Sequence, residues 1–510
     1  MSLDEHPAIL LNPADSVGVA RRMVKAGEEI GIAGVAATET VPRGHKIALR
    51  TIAEGEEVRK FGQVIGIASR PIAPGQHVHL QNLAMVDSKQ THQFCVENQG
   101  PGLLPEGERA TFMGYDRGLG GVGTRNYIGI ISTVNCSATV SRYIAEHFNR
   151  LGGLDGFDNV DGVVALTHGG GCAINTKGEG YEYLTRVIKG YATHPNFGGI
   201  LMIGLGCETN QIRPIMEHYR LEEGNRFRTM TIQQLGGTRK TIEAACAMIR
   251  EMLPEVNAAT RTSQPLSKLK IALECGGSDG YSGITANPAL GVASDLLVRN
   301  GATTVLSETP EIYGAEHLLT RRAKSPEVAE KLLERIEWWR DYTARNNAEL
   351  NNNPSHGNKE GGLTTILEKS LGAVAKGGSM PLNAVYEYAE PVTEQGFVFM
   401  DTPGYDPVAV TGQVAGGCNI VCFTTGRGSV SGWKPSPTIK IATNTVMFEH
   451  MQEDMDINCG DIARGTDTIE AAGQRIYDMI LAVASGARTL SEQFDYGDNE
   501  FVPWQVGAVT

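Results

Sequence analysis

The spacing of apolar and polar positions changes along the chain, and the changes mark predicted domains. Residues 1–87 form short segments such as HKIALRTI and QVIGIAS, separated by PRG, AEG and APG, which predict a small β-rich domain. Residues 88–112 are polar and contain proline, as expected of a linker. Continuous apolar runs then alternate with amphipathic segments, which predicts mostly parallel sheets flanked by helices. A polar stretch, NAATRTSQPLS, divides this part into α/β domains over 113–262 (Rossmann-like) and 263–510.

Length, composition and charge narrow the class of protein. The chain has 510 residues, 41% hydrophobic and 20% charged, which is typical of a soluble globular protein with several domains. Its net charge of −13 argues against nucleic acid as a partner. Neither a membrane span nor a secretory signal is recognisable, and nine scattered cysteines suit a reducing compartment. We therefore expect a cytoplasmic protein without a membrane partner.

Four cysteines follow predicted strands, in IISTVNC, LTHGGGC, MIGLGC and IALECGG. They are Cys136, Cys172, Cys207 and Cys275. The carboxyl ends of parallel strands border the ligand crevice of such sheets, so these thiols are candidate ligands for iron or another soft metal. The alternative is that they are small core residues beneath tight turns.

Several histidines are also candidates. His168, in the same loop as Cys172, suits a base or a ligand, and equally a structural histidine. His77 and His79 are two residues apart, so on a strand they share a face. That pair suits a metal or a carboxylate, although exposed surface histidines are the favoured interpretation.

Polar and basic residues in the strand-end loops are candidates for substrate binding. These residues are Arg125, Asn126, Ser278, Asp279, Lys359 and Arg427. Arg427 is the best placed, because a guanidinium can hold a carboxylate with two hydrogen bonds. Solvent exposure is the alternative for the basic residues, and a helix N-cap for Ser278 and Asp279. Neither a Walker phosphate loop nor a dinucleotide fingerprint is found, which disfavours a nicotinamide or flavin enzyme.

Long stretches of the chain together resemble one known family. They are GHKIAL, VGTRNYIGIISTVNC, HPNFGGILMIGLGCE, ECGGSDGYSGITANPALGVASDLL, NPSHGNKEGGLTTILEKSLG and FTTGRG. In sequence and order they resemble the altronate/galactarate dehydratase family, which includes sulfolactate sulfo-lyase. HVHLQN looks more like the altronate and sulfolactate branches. The resemblance implies an N-terminal SAF-like (β-clip) domain and an iron-dependent lyase acting on sugar acids.

The resemblance implies a dehydration reaction and residues that carry it out. A sugar acid of the altronate type loses the proton beside its carboxylate and the C3 hydroxyl, giving a 2-keto-3-deoxy acid. We expect His45, Lys46 and His168 to transfer protons. We expect the cysteines to hold iron, as Fe²⁺ or an iron–sulfur cluster, or another divalent ion. A homodimer is expected.

Three alternatives stay open at this point. Two lie within the family: galactarate dehydration and C–S elimination from sulfolactate. The third is a sugar-acid-binding protein without catalytic activity.

Overall fold

The structure is a computed structural model that describes residues 6–86 and 91–507. The predicted α/β class, with a small N-terminal β domain and parallel sheets after it, is confirmed. None of the helices within these ranges is long and apolar enough to cross a bilayer.

The described residues of the N-terminal domain form seven short strands. They are β1 (Ala8–Ile9), β2 (Val17–Ala20), β3 (Lys46–Ala48), β4 (Glu57–Lys60), β5 (Gln63–Ala68), β6 (His77–Val78) and β7 (Leu83–Ala84). They pair antiparallel in two sheets, ordered β1-β2-β3-β6 and β4-β5-β7. Ile47 lies in one buried apolar cluster of this domain, and Ile52 and Ile72 lie in another that also includes residues of the C-terminal domain. The predicted boundary at 87/88 lies outside the described residues.

The middle of the chain forms a parallel sheet and a small antiparallel one. Its elements are β8 (Thr111–Asp116), β9 (Val122–Gly123), β10 (Tyr127–Ser132), α1 (Ala138–Arg150), β11 (Gly162–Leu166), α2 (Glu179–Ala192), β12 (Phe197–Gly204), α3 (Ile212–Tyr219), β13 (Phe227–Thr231), α4 (Ile232–Leu235), α5 (Thr238–Asn257) and β14 (Arg261–Pro265). The parallel sheet has the order β11-β10-β12-β13.

The predicted domain boundaries differ from the structure in one respect. Strands β8, β9 and β14 form an antiparallel sheet, so boundaries at 112/113 and 262/263 cut through paired strands. The reason is that polar composition reveals a loop but not a distant pairing partner. The described part of the predicted linker crosses the C-terminal domain, where the amide of Leu104 donates to the carbonyl of Arg299 (2.8 Å).

The C-terminal domain is built on a larger parallel sheet. Its elements are β15 (Lys270–Cys275), α6 (Ala286–Arg299), β16 (Thr303–Leu306), α7 (Glu316–Thr320), α8 (Pro326–Arg345), α9 (His356–Glu360), α10 (Ile366–Ala373), β17 (Leu382–Tyr386), β18 (Gly396–Met400), α11 (Asp406–Ala415), β19 (Ile420–Thr425), β20 (Thr438–Ala442), α12 (Thr445–His450), β21 (Ile457–Asn458), α13 (Asp461–Arg464), α14 (Ile469–Ala484) and α15 (Leu490–Gln493).

The strand order of this sheet locates a crevice. Seven strands run parallel in the order β17-β18-β16-β15-β19-β20-β21. The chain moves from β15 to one side and returns on the other side at β19, so connections diverge between these two strands. Ligands of open parallel sheets bind outside the carboxyl ends of the strands at such a point. The loops after β15 and β19 are therefore the first place to look for a site.

The two parallel sheets also share a core. Ile131 and Val164 from the middle domain lie in one buried apolar cluster with Val305 and Phe423 from the C-terminal domain. Packing of this kind fixes the strand-end loops of each sheet on a rigid base.

Candidate functional site

The loops that follow β15 and β19 are joined by main-chain hydrogen bonds. The amide of Gly276 donates to the carbonyl of Thr424 (3.1 Å), and that of Gly426 to the carbonyl of Gly277 (3.1 Å). Gly277 has a φ of 60°, and a Cβ on Gly276 would lie 2.1 Å from Oδ2 of Asp406. Glycine is therefore required at both positions for the loops to approach this closely.

Helix α9 forms a third wall of the crevice. The side-chain amide of Asn358 donates to the carbonyl of Ser278 (2.8 Å). The amide of Gly280 donates to the carbonyl of Gly361 (2.8 Å). These bonds place residues 359–360 at the rim of the crevice.

The N-terminal domain docks on this region through a buried ion cluster. Nζ of Lys46 lies 2.8 Å from Glu368, and Nζ of Lys60 lies 2.9 Å from the same carboxylate. Lys46 also donates to the carbonyl of Gly362 (2.7 Å). Burial raises the pKa of Glu368, but the two ammonium groups more than offset burial and hold that pKa well below its usual range. Because Lys46 is fully buried in this cluster, its predicted role in proton transfer does not fit the geometry.

Three histidines meet on one face of the N-terminal domain. Strands β3 and β6 pair Ile47 with His77, so the same register sets His45 opposite His79. One nitrogen from each imidazole lies within 4.8 Å of the other two. Nε2 of His45 lies 3.1 Å from the carbonyl of Glu360, so the cluster borders the crevice.

Burial favours the neutral form of these imidazoles. It lowers the pKa of His77 to about 4 and that of His79 to about 3, and nearby Lys46 and the neighbouring imidazoles act in the same direction. Burial also lowers the pKa of His45. Surface exposure, the interpretation favoured from sequence for His77 and His79, is therefore wrong: both are partly buried against His45.

Three of the predicted substrate-binding residues lie at the crevice and have polar groups that a ligand could contact. Ser278 is buried, and its Oγ has no hydrogen-bond partner in the described part of the chain. The side chain of Arg427 is 48% exposed and lies 3.5 Å from the carboxylate of Glu360. Lys359 precedes Glu360 on α9 and is partly exposed.

Asp279 has a positioning role instead. Its carboxylate accepts from the amide of Tyr281 (3.1 Å) and from the side chains of Ser282 (3.2 Å), Thr443 (2.9 Å) and Asn444 (3.1 Å). Burial raises its pKa, which these hydrogen bonds partly offset. Asp279 therefore fixes the loops of the crevice, and direct substrate binding by its carboxylate does not fit the structure.

Arg125 and Asn126, also predicted to bind substrate, are buried structural residues. Arg125 is paired with Glu492 (2.5 Å) and donates to the carbonyl of Val483 (2.9 Å). The side-chain amide of Asn126 donates to the carbonyl of Asn159 (2.7 Å). Both predictions are corrected here, because neither side chain has a polar group free to meet a ligand.

His168 positions a loop. Its Nε2 donates to the carbonyl of Ser132 (2.9 Å), and its Nδ1 accepts from the amide of Gly170 (3.2 Å). Burial lowers its pKa to about 4, although the hydrogen bond to Ser132 acts in the opposite direction. With both nitrogens engaged, His168 does not fit the predicted role in proton transfer, and instead it shapes the glycine loop that leads to Cys172.

Cys136, Cys172 and Cys207 lie at the carboxyl edge of the middle sheet, in loops that contact one another. The amide of Asn135 donates to the carbonyl of Gly170 (3.0 Å), and the amide of Thr209 donates to the carbonyl of Cys172 (3.0 Å). All three side chains are exposed. The three loops therefore contact one another, and burial in a core does not explain the thiols; their convergence on one metal group stays a prediction.

The arrangement of these thiols can be tested against a metal. Among the described residues, the three sulfur atoms do not form a donor group within 4.8 Å, so they do not fit a single ion as they stand. Sulfur ligands of an iron–sulfur cluster bind different iron atoms and lie farther apart, and three exposed thiols on adjoining loops fit that donor chemistry.

Cys275 does not join the other cysteines. It is fully buried, with its sulfur 2.8 Å from Nζ of Lys376 and 3.5 Å from Glu308. Glu311 also contacts it and is paired with Lys369 (2.6 Å). The predicted set of four cysteines is thus corrected to three, because the fourth lies on a different sheet in its own ion cluster.

The buried charges of the C-terminal domain escaped the sequence analysis. Glu368 and Lys369 lie side by side in α10, whose eight residues are all buried, and Lys376 follows it. The available signal is the stretch TTILEKSLGAVAKGG, where charged residues interrupt an otherwise apolar helix.

Comparison with known proteins agrees with this architecture. Three family models match: the altronate/galactarate dehydratase SAF domain over residues 6–86, the D-galactarate dehydratase/altronate hydrolase second domain over 114–257, and the D-galactarate/altronate dehydratase C-terminal domain over 266–509.

Curated relatives are similar along nearly the whole chain. An altronate dehydratase of Bacillus subtilis is 36% identical, with 96% of this chain and 97% of the relative covered. A galactarate dehydratase (L-threo-forming) of Escherichia coli is 38% identical over 90% and 89% of the two chains. The beta subunit of (2R)-sulfolactate sulfo-lyase of Chromohalobacter salexigens is 30% identical over 77% and 96%. The chain therefore belongs to the D-galactarate/altronate dehydratase family.

Proposed function

We propose that this protein is a hydro-lyase that dehydrates a sugar acid in the crevice between β15 and β19. The dehydratases among its relatives, which match over most of its length, support this class of reaction. The observation that carries the proposal is the crevice at the point of strand divergence, where Arg427 and His45 both contact Glu360. An altronate-type aldonate is the proposed substrate.

The reaction balances without an oxidant or reductant. A base takes the proton from C2, the C2 electrons form the C2–C3 double bond, and the C3 hydroxyl leaves with a proton as water. The resulting enol gains a proton at C3, loses the proton of its C2 hydroxyl and becomes a 2-keto-3-deoxy acid. The C2 proton is weakly acidic and hydroxide is a poor leaving group. Cationic groups must therefore stabilise the negative charge that develops on the carboxylate.

Arg427 and Lys359 are the proposed holders of the carboxylate. The protein carries a net charge of −13, so a local pair of cations is needed to attract an acid. Arg427 reaches the crevice from the β19 loop, and its only ion-pair partner in the described chain is Glu360, 3.5 Å away on the rim. An incoming carboxylate can replace that weak contact with a bidentate one.

The cysteine set has a separate place in the proposal. Cys136, Cys172 and Cys207 are the residues that would hold an iron–sulfur cluster, and such a cluster would supply Lewis acidity for a hydroxy acid. In the part of the chain described, the other predicted proton carriers are engaged in structural contacts. His45 alone borders the crevice, so its predicted role as a proton carrier stays a prediction of this proposal.

The experiment is a keto-acid assay over C4 to C6 hydroxy acids, with altronate, galactarate and sulfolactate included. We expect 2-keto-3-deoxy acid from altronate, and a rise in KM of about tenfold or more in Arg427→Met from loss of a charged hydrogen bond. Arg464→Met is the matched control, because Arg464 is 49% exposed and lies 3.5 Å from Asp461. Sulfite release would indicate C–S elimination instead, and tight binding without any product would refute a lyase.

A further inference from the structure

We infer that His45, His77 and His79 form a binding site for a divalent transition-metal ion, with an open coordination position for the acid substrate. The use of this ion in catalysis rests on the proposed function, whereas its binding does not. Neither the family models nor the names of the relatives place a metal here.

The donor geometry is the first argument. The register of β3 and β6 brings the three side chains to one face, with ring centroids 4.8 to 5.4 Å apart. Each imidazole offers a nitrogen within 4.8 Å of the other two. Three protein ligands and a free position are the arrangement of catalytic metal sites, whereas structural sites are closed by four.

Hydrogen bonds outside the donor set orient the rings. Nε2 of His45 faces the carbonyl of Glu360 (3.1 Å), which can only accept, so the proton lies on Nε2 and the lone pair of Nδ1 faces His77 (2.9 Å). Metal-binding histidines commonly make such a bond from their second nitrogen to a carbonyl. The amide side chain of Asn82 donates to the carbonyl of His77 (2.9 Å) and accepts from the amide of His79 (2.9 Å), which fixes the strand end.

An unsatisfied atom points to a missing ligand. Nδ1 of His79 is buried and has no hydrogen-bond partner in the described chain. Leaving such a group unpaired costs about 1–3 kcal/mol, so buried polar atoms without partners are uncommon. A bound cation would give this nitrogen the partner that it lacks.

The alternative donor group in the C-terminal domain is a poorer cation site. Cys275, Glu308 and Glu311 also lie within 4.8 Å of one another. However, Nζ of Lys376 is 2.8 Å from Cys275, and Nζ of Lys369 is 2.6 Å from Glu311. Two buried ammonium groups already neutralise this group, and an added cation would meet their repulsion.

The charge of the proposed metal site also suits an anionic substrate. The histidine set contributes no negative charge, so a bound divalent ion keeps its attraction for a carboxylate and an adjacent hydroxyl. Arg427 lies near the histidines, because it contacts the carboxylate of Glu360 (3.5 Å) while His45 contacts the carbonyl of the same residue (3.1 Å). In this arrangement His45 is a metal ligand, which replaces the role of proton carrier that the proposed function gives to the same imidazole.

The test is Co²⁺ binding to the full-length protein after chelation, followed by calorimetry and visible absorption. We expect one ion per chain, and at least tenfold weaker binding in His77→Ala and in His77→Gln, which keeps more of the side-chain volume. His356→Ala is the control, because His356 is 88% exposed on the neighbouring helix. A variant with Cys136, Cys172 and Cys207 replaced by serine is expected to keep this site.

The outcomes separate metal binding at the histidines from the use of the metal in catalysis. Unchanged Co²⁺ binding in folded His77 variants, or its loss with the cysteines, would overturn the site. Binding at the histidines without turnover of any tested acid would support the site and count against the proposed function. Full turnover by the metal-free protein would overturn the catalytic use of the ion.

Discussion

Two arginines with different surroundings illustrate what decides a residue's role. Arg427 lies half-exposed at a rim, whereas Arg125 is buried among carbonyl groups and a carboxylate. Sequence reasoning selected both from glycine-containing strand ends. It could not separate them, because Glu492, the partner of Arg125, lies more than 360 residues away.

For Arg125 we therefore predict a loss of stability without a specific loss of substrate binding. Arg125→Met leaves the buried Glu492 without its cation, which costs about 3–5 kcal/mol of unfolding free energy. Urea unfolding measures the loss, and KM of the folded fraction is expected to stay within twofold. A large rise in KM at unchanged stability would contradict this prediction and support a role for Arg125 in substrate binding.

For Ser278 we predict the opposite result, a loss of activity without a loss of stability. Its Oγ is buried without a partner in the described chain, so Ser278→Ala removes an unsatisfied group and leaves stability unchanged or raised by about 1 kcal/mol. If the hydroxyl meets the substrate, kcat/KM falls by about tenfold or more. Ser355→Ala, which removes a helix cap, is the contrasting variant and is expected to reduce stability. Unchanged kinetics in Ser278→Ala would exclude the hydroxyl from the site.

Among the elements, the glycine-rich loops make close contacts between domains. A Cβ on Gly280 would lie 2.0 Å from the carbonyl oxygen of Gly44, next to His45. The loop after β15 therefore touches the N-terminal domain through main chain at Gly280, and the hydroxyl of Tyr281 adds a hydrogen bond to the carbonyl of Ala20 (2.7 Å). This contact places the histidine cluster beside the crevice.

Gly280→Ala is expected to separate these elements. The added methyl group forces a backbone shift that costs about 1–3 kcal/mol, and kcat/KM falls because the histidines move. Gly357→Ala is the matched control, since its Cβ would meet nothing within 4 Å. Thermal unfolding and steady-state kinetics measure the two effects. Equal behaviour of the two variants would contradict a tight contact.

At this scale the sequence predicts much of the architecture and less of the site. Continuous apolar runs identify the parallel strands, and strand-end loops identify Cys136, Cys172, Cys207, Ser278 and Arg427. The histidine cluster depends on the pairing of β3 with β6, which residues 30 positions apart do not reveal locally. Periodicity likewise places Cys275 at a strand end of the second α/β domain without indicating that Lys376 and Glu308 surround its sulfur.

The whole molecule is held together by ion pairs as well as apolar packing. Glu368 of α10 lies between Lys46 and Lys60, and all three side chains are buried. Removing one charge from such a group is costly, because the others remain buried without compensation.

We predict that Glu368→Gln lowers the free energy of unfolding by about 3–5 kcal/mol at neutral pH. The carboxyl has a folded-state pKa below its ordinary value of 4.5, so its stabilisation is present above that pH and is lost as pH falls through the folded pKa. Unfolding of the wild type should therefore become easier below about pH 4.5, with a weaker dependence in the variant. Glu360→Gln, 57% exposed, is the control. A variant as stable as wild type would contradict a docking role.

The docked N-terminal domain has a consequence for how the chain must be assembled. It meets the C-terminal domain through its own ion cluster and glycine contact, so the covalent connection between residues 86 and 91 serves to raise the effective concentration of one piece near the other. A chain cut there would become a two-piece enzyme whose activity rises with protein concentration and falls on dilution.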